Sequence, residues 1–155
     1  MSPTLPAPQL TLAPIGRVES PLVDPAAAPR QGDEGAPDAV LVFDPSVREG
    51  LRDLAAGDEV LLFTWLDRAR RDVLSVHPRG DRSRPRTGVF STRSPDRPNP
   101  IGLHRVQIVA INNESLDPGP RAANAPLRIR VRNLEALDGT PILDVKPVLE
   151  PLHER

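Results

Sequence analysis

Cysteine and tyrosine are both missing from this chain, and lysine occurs only at Lys146. The lack of cysteine removes disulfides, thiolate catalysis and every Cys-based zinc site together. Aromatic residues make up 3% of the sequence, with a single Trp, so the core has to be built from Leu, Val and Ile. Long hydrophobic runs are absent too; stretches such as residues 60–63 are far too short to cross a bilayer. No basic segment followed by an apolar one opens the chain, so residues 1–12 do not read as a signal peptide. These absences describe a soluble protein and permit a cytoplasmic location. His77, His104 and His153 have no metal-ligand spacing, and no metal is expected.

Proline, by contrast, is abundant, at 20 of 155 residues. It is excluded from helix interiors and central strands, so short elements joined by stiff loops fit better than long helices. The length suits one domain. We expect a flexible leader over residues 1–14, a single domain over residues 15–150, and no C-terminal extension domain. Net charge is −1, but it is unevenly spread: between Asp67 and Arg105 ten Arg face four Asp, giving +6 there and −7 elsewhere. A solvated basic surface is the plain interpretation. A guanidinium-rich face for phosphates is the sharper one, because Arg forks match phosphate oxygens bidentately.

Residues 15–21 alternate apolar with polar and end at Ser20-Pro21, the pattern of a short strand. Residues 24–38, dense in Pro and Gly, form a long loop. A strand is expected at 39–43. Asp44-Pro45-Ser46 then opens the one convincing helix, with Val47, Leu51 and Leu54 at helical spacing as far as Ala56. The run 59–66 predicts a central strand buried on both faces, with Trp65 in the core rather than serving as a platform for a base. Further strands are expected at 72–77, 88–92, 104–111, 127–134 and 142–145. A basic loop spans 78–86, with His77 a surface residue at the strand end before it. Asp138-Gly139 supplies the positive φ of a turn. About seven strands and one helix make the fold mainly β, a barrel or a sandwich with one short helix and long loops. A parallel nucleotide-binding fold needs alternating helices and a G-x-G-x-x-G, and the sequence has neither.

The stretch GVFSTRSPDRPNPIGL, residues 88–103, places Arg93 and Arg97 four apart on a segment stiffened by Pro95, Pro98 and Pro100. Such a loop presents two guanidinium groups and Asn99 with little entropy left to lose, which suits capture of a carboxylate or phosphate. It equally describes a Pro-rich surface turn with incidental Arg.

The same stretch resembles the signature of the TsaA-like (YaeB-like) family of β-barrel methyltransferases. Ile15-Gly16 through Ser20-Pro21, Pro29-Arg30-Gln31, and Leu137 to Pro141 with Asp144 to Pro147 agree with that family in order. The resemblance implies a small antiparallel β-barrel that binds S-adenosylmethionine, forms a homodimer, and methylates N6 of threonylcarbamoyladenosine at position 37 of tRNA. It implies cofactor contacts from Pro29, Arg30, Gln31, Asp67, Arg68, Arg93 and Leu103, with the turn Glu135, Ala136, Leu137, Asp138 and Gly139 closing the pocket. Asp67 and Arg68 stand where relatives usually carry His and a polar residue, and Val148 follows Lys146-Pro147 in place of Tyr. Many bacterial relatives also continue into a further C-terminal domain.

Methyl transfer from a sulfonium is an in-line displacement, so positioning can supply much of the rate. Arg93, Arg97, Asn99 and Asp138 are the catalytic candidates. With no Tyr or Cys, a proton acceptor would come from Asp67, Asp96, His104, Glu135 or Asp138. Three rival readings remain: a non-catalytic RNA-binding module, a methyltransferase of small molecules, and a cofactor sensor.

Overall fold

The computed structural model describes residues 8–29, 35–112 and 124–149. Among them are eight strands: β1 (Gly16–Glu19), β2 (Ala39–Phe43), β3 (Glu59–Trp65), β4 (Ser75–Val76), β5 (Thr87–Gly88), β6 (Ile101–Ile111), β7 (Leu127–Arg132) and β8 (Pro141–Pro147). Six close into an antiparallel barrel in the order β1-β2-β7-β6-β3-β8, while β4 and β5 form a separate hairpin. The expected mainly-β fold is the one observed.

Alternation builds the wall. Successive side chains of a strand point to opposite faces, so LRIRVR in β7 buries Leu127, Ile129 and Val131 and exposes Arg128, Arg130 and Arg132. Val18, Leu41, Leu62, Ile108 and Ile142 join them inside, and Phe43 is the one aromatic among the fully buried side chains. Each such side chain contributes roughly 1.5–3 kcal/mol on leaving water. The core is aliphatic, as the composition requires.

Several elements differ from expectation. β3 is not buried on both faces: Val60, Leu62 and Thr64 point inward, while Leu61, Phe63 and Trp65 are half-buried on the outer face. Trp65 is therefore not in the interior cluster; the Arg71 guanidinium covers it, 5.2 Å from the ring centroid. The expected helix is a 3-10 helix, Pro45–Leu51, capped by the Asp44 carboxylate accepting from Ser46 N at 2.9 Å. Val47, and Leu54 just beyond the helix, still pack on the core. After β5 the chain does not continue as a strand; it folds into a 3-10 turn, Val89–Ser91, that buries Val89. β6 begins at Ile101 rather than His104, which draws the end of the signature into the barrel wall.

On the outer face Arg128 donates to Glu19 at 2.6 Å and holds its carboxyl below the ordinary glutamate value. The stabilisation from this pair is complete above the usual glutamate range and is lost as the pH falls through the depressed value. Solvent screens an exposed pair, so the contribution is small. Glu19→Gln should slightly flatten the acid limb of the stability curve, measured by urea denaturation from about pH 5 downward.

Candidate active site

Because the barrel is antiparallel throughout, strand direction decides which loops meet. β1, β3 and β7 run toward one end, and β2, β6 and β8 start from it. Residues 20–29, 35–38, 66–100 and 133–140 therefore share that end. Among the described residues they contain every expected site residue except Leu103, which lies on β6 opposite Phe63, and the proton-acceptor candidate His104 on the same strand. Loop-to-loop hydrogen bonds stitch them together. Asp138 N donates to Leu22 O at 2.7 Å, and the Asp138 carboxylate accepts from Ser20 N at 3.0 Å. Arg68 donates to Val23 O at 3.2 Å. Pro29 is half-buried on this end; Arg30 and Gln31 lie outside the described residues.

Within the signature loop the two arginines separate. Arg97 is an internal strut: Nε donates to Ser94 O at 2.7 Å, and Nη2 donates to Val89 O at 2.9 Å and Thr92 O at 2.6 Å. Asn99 accepts from Arg71 at 2.9 Å, while a second Arg71 nitrogen donates to Pro98 O at 2.7 Å. Asp96 accepts from Arg70 N at 2.9 Å. These bonds complete with contacts the stiffness that the prolines begin. Arg93 and Asp67 are exposed, and neither side chain bonds to any other described residue.

The third loop crosses the barrel mouth. Leu134 and Ala136 enter the core, Gly139 takes φ +84° in the expected Asp-Gly turn, and Thr140 Oγ1 donates to Leu137 O at 2.7 Å. Between them Glu135 reaches inward to His104, with Oε1 2.5 Å from Nδ1. His104 Nε2 lies 2.7 Å from Thr64 Oγ1. His104, a candidate proton acceptor in the sequence, is thus sealed inside the wall and does not reach the surface.

An open depression of about 470 Å³ lies beside this end, lined among others by Ser20, Asp38, Arg130 and Asp138. It belongs to the β1–β2–β7 flank, whereas Arg93, Asp67 and Leu103 stand on the β3–β6 flank. None of those three residues lines the depression. Thr64 and Arg71 were not anticipated as parts of the site. The signal for Thr64 was a polar residue in an otherwise apolar strand; Arg71 gave none, being one arginine among many.

A family model described as the tRNA-methyltransferase O N-terminal domain matches residues 17–153. The chain is similar to a probable S-adenosyl-L-methionine-binding protein of Methanothermobacter thermautotrophicus, with 34% identity over 144 residues and 93% of each chain covered. An S-adenosyl-L-methionine-binding protein of Archaeoglobus fulgidus is 38% identical over 138 residues, with 88% of each covered. The solved structure of TrmO from Pseudomonas aeruginosa matches with a TM-score of 0.66 at 27% identity. That match covers 94% of this chain but only 58% of the solved one.

Proposed function

The chain belongs to the tRNA-methyltransferase O N-terminal-domain family, and on that premise we propose that it methylates N6 of threonylcarbamoyladenosine at position 37 of tRNA, using S-adenosylmethionine. The observation that carries this reading is the convergence of three loops on one barrel end, where Arg93 and Asp67 are left without partners among the described residues.

The donor set fits the cofactor. Its amino-acid end is a zwitterion, for which the Arg93 fork is a carboxylate donor and Asp67 an ammonium acceptor. Leu103 offers exposed apolar surface, and the backbone of the 135–139 turn offers polar groups for an adenine edge. When bound, the cofactor supplies an electrophilic methyl group. The chain's part is to hold that group and the acceptor nitrogen in line, and Arg97, Asn99 and Arg71 keep the loop rigid for it.

A second copy completes the site in this reading. Ile101 and Leu103 are 47% and 39% exposed beside half-buried Phe63 and Trp65, an apolar outer face suited to a two-fold contact. RNA would lie against the β4–β5 hairpin. Its loop exposes Arg82 and Arg84, and Phe90, 77% exposed, stands at its base as a stacking surface. Replacing Arg82 and Arg84 with serine should weaken tRNA binding and lower its salt slope by about 1–2 units, measured by filter binding across a salt series.

The reading is tested by calorimetric titration with S-adenosylmethionine, followed by methyl transfer to tRNA with and without the threonylcarbamoyl group. Saturable binding and transfer to the modified tRNA alone are expected. A folded protein that binds nothing at millimolar cofactor would sink the methyltransferase and leave the RNA-binding module. Binding without transfer to either tRNA would move the acceptor to a small molecule or make the protein a sensor.

A further inference from the structure

We propose that His104, buried in the barrel wall, is a positioning residue for the cofactor: it holds Glu135, and through it the 135–139 turn, in the receptive conformation. The inference rests on the cofactor reading above and adds a residue that does not itself touch the ligand.

Buried polar side chains are few here. Among the described residues they are Thr64, His104 and Thr140, and the first two belong to one relay. A buried polar group is a liability unless its hydrogen bonds are made. Both ring nitrogens of His104 are engaged, Nδ1 with Glu135 and Nε2 with Thr64. A carboxylate only accepts, so Nδ1 carries the proton and donates to Glu135; in the neutral ring Nε2 then accepts from the Thr64 hydroxyl. Thr64 is 0% exposed and fixed by its place in β3, so the relay runs from a rigid wall outward.

Its outer end is the turn. The Glu135 side chain is 19% exposed, and its second oxygen has no bond to any other described residue. Elsewhere the turn is tied to residues 18–22 through Asp138 N, Gly139 N and the Asp138 carboxylate. Those bonds anchor it on the β1 side only. His104 supplies a second anchor on the β6 side, next to Leu103, whose outward direction is set by the same alternation that turns His104 inward. The turn is thereby stretched between the flank that carries the depression and the flank that carries the signature. Without His104, Glu135 would lose its inner partner and swing to solvent, leaving one edge of the turn untethered.

Asparagine and glutamine discriminate the two halves of the relay. An Asn amide replaces the Nδ1 donor, while a Gln amide reaches the Nε2 position and releases Glu135. We measure affinity for S-adenosylhomocysteine by calorimetry and stability by thermal denaturation on His104→Gln, His104→Asn and wild type. His104→Gln should bind about tenfold more weakly, and His104→Asn should recover most of that loss even where its melting temperature falls equally. In wild type, the ¹⁵N signal of Nδ1 should shift when S-adenosylhomocysteine is added. Equal affinity in the two variants, or an unmoved Nδ1 signal on saturation, would overturn the positioning role. A wild-type protein that binds no S-adenosylhomocysteine would overturn the cofactor reading itself, and this inference with it.

Discussion

Gly102→Ala is expected to lower stability by about 3 kcal/mol and the thermal midpoint by roughly 6–12 °C. Gly102 pairs with Thr64 across β6 and β3. A Cβ at position 102 would run into Thr64 Oγ1, stand 2.7 Å from His104 Nε2 and lie 3.2 Å from Leu66 Cδ2. None of the polar neighbours can give way cheaply. Thr64 is fully buried and β-branched, with few side-chain rotamers open to it. His104 is held at both nitrogens. Relief must therefore break the Thr64–His104 hydrogen bond or spread the strands. Because the residues touch, the effects should not add. Thr64→Ala alone strands His104 Nε2, at about 1–3 kcal/mol, but it also removes the oxygen that the methyl group added at position 102 would strike. The double variant should be less destabilised than the sum, measured by urea denaturation of all four species. A Gly102→Ala protein within about 0.5 kcal/mol of wild type would show that β3 and β6 separate freely at this point.

That glycine shows what the sequence reveals and what it conceals. The signature ends in Ile101-Gly102-Leu103, and its glycine is a packing requirement, set by a threonine and a histidine that only the barrel brings to it. Strand alternation was legible in LRIRVR, because period two survives in any sheet. The single buried face of β3 was not legible, because a continuous apolar run describes a half-buried apolar outer face as well as a doubly buried strand. A helix after Asp44-Pro45 was legible, but its 3-10 geometry and its end at Leu51 rather than Ala56 were not. The convergence of three loops could not be read from spacing at all; it follows from antiparallel closure. Nor could the bond between His104 and Glu135, which are 31 positions apart in the chain. Prolines made the signature loop recognisably stiff, yet which of its arginines was free depended on carbonyls and on Arg71, folded back from a separate segment.

Arg93 and Arg97 should therefore fail in different ways when each is replaced by alanine. Arg93 is exposed and makes no bond to another described residue, so Arg93→Ala should leave the melting temperature close to wild type. If its fork takes the cofactor's carboxylate, affinity should fall about 10- to 100-fold, the worth of a charge-assisted hydrogen-bond pair. Arg97→Ala removes the donors of three carbonyls in one half-buried loop. It should lower stability by about 2–3 kcal/mol and weaken binding as a consequence. Lysine should not rescue position 97, because one ammonium cannot reproduce the planar fork that serves Ser94, Val89 and Thr92 together. Paired melts and calorimetric titrations separate the cases. Were Arg97→Ala to bind weakly with an unchanged melt, the strut would be a ligand contact. Were Arg93→Ala to bind normally, the carboxylate would have to be held elsewhere, leaving Arg68 as the remaining exposed guanidinium of the expected contact set among the described residues. Two arginines four residues apart thus report separately on the loop's architecture and on its ligand.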